Sequence, residues 1–429
     1  MKIRATVLGL AWLFLSVAAP AAVVGRSERY NGLKPAAIAL LPEEQRLPWQ
    51  AYLTLSAEAH KKDVDTLETE RRGQKQFPEP ENDSAHDHSM PLDRPPAWYG
   101  SDEARHIANV IVSFQTPAGG WGKNQDFSKD LRQKGQMWVV FEKTARSQPL
   151  DYPNPAAVHW HYVGTIDNDA TTTQLRFLAK VIAAAGPSDS AAWRGSFLKG
   201  LSYLFAAELP CGGWPQIWPL EGGYADALTF NDNAFVNTAG LLADVASDAN
   251  GFYAFVPAKA KADAAAAVKR ARAVILASQV RVQGKRTIWG QQHDPLTLKP
   301  VAARNFEPAM LSASESAELL VFLMSQPDLS KDEVAAIHDG MAWLKSAAIS
   351  GIAWQTQGDS RVLVKGTGTM WARFYDPVTM KPVFGDRDKT IHDDVNEISA
   401  ERRQGYSWYN TAPAKALKRY ESWAREHAK

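Results

Sequence analysis

Three glycine-flanked tryptophan turns constrain this chain more than any other feature. An apolar-periodic helix with Ala108, Ile111 and Val112 on one face ends at Gln115 and leads into Gly119-Gly120-Trp121-Gly122-Lys123. A second, over residues 193–209, leads into Gly212-Gly213-Trp214-Pro215-Gln216, and a third, over residues 263–279, leads into Trp289-Gly290-Gln291. Apolar residues at the helical period argue for buried helix faces. Paired glycines stop a helix because they enter the left-handed region without steric cost. Partner helices are expected over residues 171–185, 232–247, 313–325 and 331–347. Three of them open on capping-box patterns, Thr171…Gln174, Ser312…Glu315 and Ser330…Glu333. Helix, tryptophan turn and partner helix, repeated, form a long-period repeat. Few strand signals compete, so the expected fold is mainly α: an α/α toroid of three repeated helix pairs, with long loops forming a cleft.

The flanks of this repeat read differently. Lys2 and Arg4 precede a short apolar stretch, Val7 to Val17, and Ala19-Pro20-Ala21 offers a small-residue cleavage site. Residues 1–21 therefore read as a secretory signal peptide, with an uncleaved anchor as the alternative, and place the protein outside the cytoplasm, secreted or periplasmic. No other stretch is apolar enough to span a membrane. Residues 22–97 read as an N-terminal extension and connector. A helix starts at Leu41-Pro42-Glu43-Glu44 and runs to about Arg72, with an interruption near Pro48. Phe77 to Pro96 holds five prolines and reads as an exposed connector, with His86 and His88 in solvated loop rather than on a metal. Residues 98–429 form the expected catalytic domain. Cys211 is the one cysteine, so no internal disulfide is available and stability must come from a packed core, to which a metal could add. A formal net charge of +1 suits neither nucleic acid nor a membrane surface as partner.

Two segments carry concentrated polar chemistry. Thr165-Ile166-Asp167-Asn168-Asp169-Ala170-Thr171 sets two carboxylates and an amide oxygen just before a helix, and Asn231-Asp232-Asn233 repeats the arrangement. Hard oxygen ligands of this kind suit Ca²⁺, while Asp and Asn also favour that place simply as helix N-caps. The stretch from Gly368 to Tyr409 is rich in Arg, Asp and aromatics without a long apolar run, and reads as a shaped loop. No dinucleotide fingerprint, P-loop, HExxH or GxSxG motif is present.

Seven strings resemble the pectate lyases of polysaccharide lyase family ten. They are GGWGKN (119–124), TIDNDATTTQLRFL (165–178), GGWPQIWPLEGGYADALTFNDNAF (212–235), WGQQHDPLTLKPVAARNFEP (289–308), WARFYD (371–376), FGDRD (384–388) and EISAERRQGYSWY (397–409). The resemblance implies an α/α toroid that cleaves polygalacturonate by calcium-assisted β-elimination, with oligogalacturonides as partners; a monomer is expected. It implies Asp167, Asn168, Asp169 and Asp232 around the calcium, with the direct ligand among Asp167 and Asp169 left open. Asp167 and Arg387 would carry catalysis, Arg387 as the base. That role conflicts with the very high pKa of arginine, which calcium and neighbouring cations would have to depress. Arg304, Lys123 and Arg373 would bind substrate carboxylates, arginine through its bidentate fork and lysine as a point charge. Trp121 and Trp214 would offer flat faces to sugar rings. Each cation has a structural alternative: Arg304 paired with Glu307, and Arg387 with Asp386 or Asp388. Two rival functions are a glycoside hydrolase using Asp167 and Glu307 and a sugar-binding protein without turnover.

Overall fold

The computed structural model describes residues 23–78, 90–139, 160–186 and 190–427; the expected signal peptide and the His86/His88 segment lie outside them. The apolar periodicity becomes helices Asp102–Ser113, Thr172–Ala185, Ala191–Ala207, Ala234–Ser247, Ala258–Ser278, Ala313–Met324 and Lys331–Ser346. Thr172–Ala185, Ala234–Ser247 and Ala313–Met324 stand side by side, and each packs against the helix that follows it. Helix Ala412–Glu426 packs on the last pair, and Asp102–Ser113 on the first. Of the three capping patterns only Ser330…Glu333 forms a box, with the Ser330 hydroxyl accepting from the Glu333 amide and Glu333 accepting from the Ser330 amide. Thr171 instead accepts from the Trp121 amide and donates to the Thr165 carbonyl. Ser312 donates its hydroxyl to the Glu315 carboxylate.

The tryptophan turns are built alike. Each indole N–H donates to a carbonyl in the last turns of the preceding helix: Trp121 to Ile111 at 2.7 Å, Trp214 to Leu204 at 2.9 Å and Trp289 to Ile275 at 2.7 Å. Trp371 does the same to Leu344 at 2.7 Å, a fourth instance. A long hairpin, Ile349–Gln357 with Ser360–Ala372, separates that tryptophan from its helix and hides it from a search for short spacing. Gly200 makes room for the Trp121 ring, which a Cβ there would meet at 2.8 Å.

The expected mainly α toroid of three helix pairs is corrected by the sheets. Of the described residues 48% are helical and 15% are in strand, so the fold is mixed. An antiparallel five-stranded sheet runs in the order Val23–Arg26, Thr390–His392, Pro382–Gly385, Phe374–Tyr375, Leu311–Ser312. A three-stranded sheet joins Tyr409–Asn410 to the long hairpin, and two-stranded ribbons join Leu228–Thr229 to Gln292–His293 and Arg281–Val282 to Lys285–Arg286. The reason sequence patterning misses them is length. Strands of two to four residues are too short to display a period of two, and both faces of the long hairpin are largely accessible, so it carries no apolar alternation.

These short strands place the site. Trp121 bridges Thr165, Thr165 bridges Ile217, Pro215 bridges Leu228, and Gly290 bridges Leu311. Each turn is thus tied to the next through the segment just ahead of a helix. The N-terminal stretch joins the same body: Val23–Arg26 is an outer strand of the five-stranded sheet, and helix Glu43–Arg71, continuous through Pro48, packs against Ala191–Ala207. Asp63 on that helix accepts from the Ala118 amide at 2.7 Å, beside the Trp121 turn.

Candidate active site

Two turns of one design pack against each other at the starts of helices Thr172–Ala185 and Ala234–Ser247. In the first, the Asp167 amide donates to Thr165 Oγ1 at 3.0 Å; in the second, the Asn231 amide donates to Thr229 Oγ1 at 3.3 Å. Both then enter the left-handed region, Asn168 and Asp169 at φ 49° and 62°, Asp232 and Asn233 at φ 47° and 61°. Asn and Asp tolerate that conformation better than other non-glycine residues, which explains their presence here. None of these side chains caps the helix that follows.

The first turn holds a buried ion pair. Lys123 Nζ lies 2.7 Å from Asp167 Oδ2 and 3.5 Å from the centre of the Tyr162 ring. Burial alone would raise the Asp167 carboxyl, but the adjacent ammonium holds it below the usual carboxylate range. Asp167 Oδ1 is buried with no hydrogen-bond partner. Asn168 donates to Asn124 at 3.1 Å, and Asp169 accepts from the Asn237 amide. Burial and the nearby Asp167 charge raise Asp169. In the second turn Asp232 keeps 42% of its side chain accessible. Burial in the recess and the Asp167 charge nevertheless push it up to about 6.

Cations close the recess. Arg373 donates to Glu315 at 2.6 Å and to Asn231 at 3.1 Å, stands 3.9 Å from Asp232, and lies 4.5 Å from the centre of the Tyr406 ring. Its buried Nε has no partner. Arg304 donates through Nε and Nη2 to both oxygens of Glu307, at 2.8 and 2.7 Å. Glu307 also accepts from Tyr406 at 2.8 Å and Gln291 at 3.2 Å. Burial would raise Glu307, but Arg304 outweighs it and holds the carboxyl at about 2. The Arg304 charge also bears on Asp167 and Asp232.

Arg387 stands beside this group rather than in it. Its guanidinium forks onto Glu401 at 2.9 and 3.0 Å, and Asp386 accepts the Arg387 backbone amide. It lies 5.4 Å from the Phe306 ring centre, which Arg304 approaches to 4.8 Å. The two loops touch at Gly385, where a Cβ would meet the Phe306 carbonyl at 2.4 Å.

The structure therefore brings together Lys123, Asp167, Asn168, Asp169, Asp232, Arg304 and Arg373, with Arg387 at the edge. Trp121 and Trp214 are corrected: both rings are fully buried and their N–H groups are spent on helix carbonyls, so neither offers a face to a sugar. Sequence reasoning missed Glu315, Asn231 and Tyr406 as the braces of Arg373 and Arg304. Their partners lie 58 to 142 residues away, and no local spacing signals them.

The donor set fits calcium. Among the described residues no three acidic, His or Cys side chains converge as a complete metal site. Carboxylates and amide oxygens do lie on both of the packed turns. An unpartnered buried carboxylate oxygen and a carboxyl raised by burial and by its neighbour's charge are what a divalent cation relieves.

Residues 115–417 match the family model for pectic acid lyase. A search of curated proteins finds no match. A family 10 polysaccharide lyase from Cellvibrio cellulosa, an aspartate-to-alanine mutant in complex with trigalacturonic acid, is 28% identical with a TM-score of 0.64 over 80% of this chain and 99% of that one. Another structure of a family 10 polysaccharide lyase from Cellvibrio cellulosa is 30% identical with a TM-score of 0.63 over 79% of this chain and 98% of that one.

Proposed function

Since the chain belongs to the pectic acid lyase family and is a polysaccharide lyase, we propose that it cleaves polygalacturonate by calcium-assisted β-elimination with an arginine as base. The observation that carries the reading is the pair of packed turns, with Asp167 Oδ1 buried and unpartnered in one and Asp232 raised by burial and by the Asp167 charge in the other. Asp167 and Asp232, with Asn168 and Asp169, would hold the ion. When bound, calcium would neutralise the uronate carboxylate and so acidify the C5–H beside it.

The chain's own residues supply the rest. Lys123 fixes Asp167 from behind. Arg373, braced by Glu315 and Asn231, adds positive charge next to Asp232 where the enolate-like charge develops. The base takes the C5 proton onto a neutral guanidine nitrogen, the C4–O bond breaks, C4=C5 forms, and the departing oxygen takes a proton from water. The base must reach the carbon next to the bound carboxylate. Both arginines are forked onto a glutamate, Arg304 on Glu307 and Arg387 on Glu401, but Arg304 is the one whose charge bears on both Asp167 and Asp232. The geometry thus favours Arg304 for the proton and Arg387 for a carboxylate at the edge, exchanging the roles expected from sequence. Burial would lower the Arg304 pKa, but Glu307 raises it well above the ordinary value. Turnover should therefore climb with alkaline pH as the neutral fraction grows.

A hydrolase using Asp167 and Glu307 is disfavoured, because a carboxyl held at about 2 does not protonate a leaving group. A polymeric substrate also suits an enzyme exported by a leader at residues 1–21. The test is incubation with polygalacturonate, with and without a calcium chelator, following ultraviolet absorbance of unsaturated ends. Absorbance should rise only with calcium. Saturated products would overturn the lyase chemistry, and full activity in excess chelator would remove the metal.

A further inference from the structure

Hairpin Arg281–Arg286 and helix Lys331–Ser346 line an open groove of about 480 Å³, a size suited to a ligand. The hairpin turns at Gln283 and Gly284, with φ of 50° and 79°, a tight two-residue turn matched to the twist of its strands. Arg281 is paired directly across the ribbon with Arg286. Like charges facing across two strands repel. Arg286 is relieved by Asp332 at 3.2 Å. Among the described residues neither Arg281 nor Lys285 has an acidic partner, and both are exposed. Trp343 lines the opposite wall, half-buried and held edge-on by Tyr375 at 5.2 Å between ring centres. Asp339 is the one carboxylate among the described lining residues, against the three cations Arg281, Lys285 and Arg286. None of these residues belongs to the recess described above.

We propose that this groove is a second binding site for an acidic sugar chain, with Arg281 and Lys285 on uronate carboxylates and Trp343 against a ring. The ligand class rests on the pectate reading of the recess. Two exposed cations without an acidic partner among the described residues, on a ribbon that lines the same groove as a half-buried aromatic, suit a ligand that alternates carboxylates with apolar ring faces. The groove is open along its side, which suits a passing polymer rather than an enclosed small molecule. A site away from the recess holds the polymer near the catalytic centre, and only a chain long enough to span both gains from it.

The experiment compares wild type with Arg281→Glu/Lys285→Glu, two exposed hairpin positions whose change spares the core. A charge-matched control carries Lys418→Glu/Arg419→Glu on helix Ala412–Glu426. Initial rates are taken on polygalacturonate and on trigalacturonate. The groove variant should show a polymer KM raised about 10²-fold, the weak end of two-site effects, with kcat and both trimer constants unchanged. The control should match wild type. An unchanged polymer KM overturns the groove, as does an equal rise in the control or a parallel rise on the trimer, since either marks a general charge effect. A wild type that neither cleaves nor is retained by polygalacturonate in an affinity gel overturns the pectate reading and this ligand with it. Cleavage by wild type with no difference in the groove variant removes the groove alone.

Discussion

The turns 165–170 and 229–234 share a backbone and differ in where the carboxylate sits. In the first, the buried position holds Asp167 and the left-handed, accessible position holds Asn168; in the second, Asn231 is buried and Asp232 takes the accessible position. The consequences are opposite. Asp167 meets Lys123 and is held below the ordinary range, whereas burial and then the Asp167 charge push Asp232 up to about 6. One carboxylate is thus fixed with its ionised form favoured, and the other is accessible with its ionised form disfavoured by burial and by repulsion. The lesson is that the partner, not the residue type or the local fold, decides what a carboxylate in this recess can do.

The largest expected effect lies at Arg304, whose charge reaches both turns. Arg304→Lys keeps a cation beside Glu307 and should lower turnover by about 10²–10⁴-fold, the usual contribution of a positioned base, with calcium affinity retained. Arg387→Ala should mainly raise KM. Initial rates on both folded variants at alkaline pH decide the matter; a larger turnover loss in Arg387→Ala would return the base to that position.

Asp167→Asn comes next. It leaves the Lys123 ammonium buried with its nearest counter-charge gone, so stability should fall by about 3 kcal/mol along with activity. Denaturant unfolding in chelator measures it, and an unchanged midpoint would mean that the two turns do not differ in the way described.

Asp232→Asn should separate the two functions of a carboxylate. Removing a repelled charge should leave stability in chelator unchanged or higher, while the calcium required for half-maximal rate should rise by about tenfold, as for loss of one supporting group at a metal. Destabilisation comparable to that of Asp167→Asn would erase the distinction.

The smallest effect is a pair of opposed pH slopes in metal-free protein. Asp232, raised in the fold, contributes stability that is complete below its unfolded value and lost as pH rises through about 6. Asp167, depressed in the fold, contributes stability present above its unfolded value and lost as pH falls through its folded one. Thermal melts in chelator between pH 3 and 7 should therefore fall more steeply towards acid in Asp232→Asn than in wild type. In Asp167→Asn they should fall less steeply, and parallel curves for all three proteins would contradict the assignment.

Much of the helical framework was legible. The helices over 102–113, 172–185, 234–247, 313–324 and 331–346 lie within a few residues of their expected limits because each buries an apolar stripe that repeats at the helical period. Asp167, Asp232 and Arg304 were legible as site candidates, since carboxylates and arginines crowded into loops have few structural reasons to be there. Trp121 and Trp214 were misread, because a tryptophan's flat face is the same whether it meets a sugar or a helix; only the Ile111 and Leu204 carbonyls distinguish the two.

The sequence by itself therefore determined the helices, the tryptophan turns, the family and the oxygen-rich segments ahead of two helices, all features that local spacing encodes. Tertiary structure alone decided the sheets, whose two-residue strands have no period to read, and the pairings Arg373–Glu315, Arg304–Tyr406 through Glu307, and Arg387–Glu401. It also decided which carboxylate is depressed and which is raised. A pKa is set by charges within a few ångströms, and those charges arrive from residues far apart in the chain, so their effect exists only once the chain has folded.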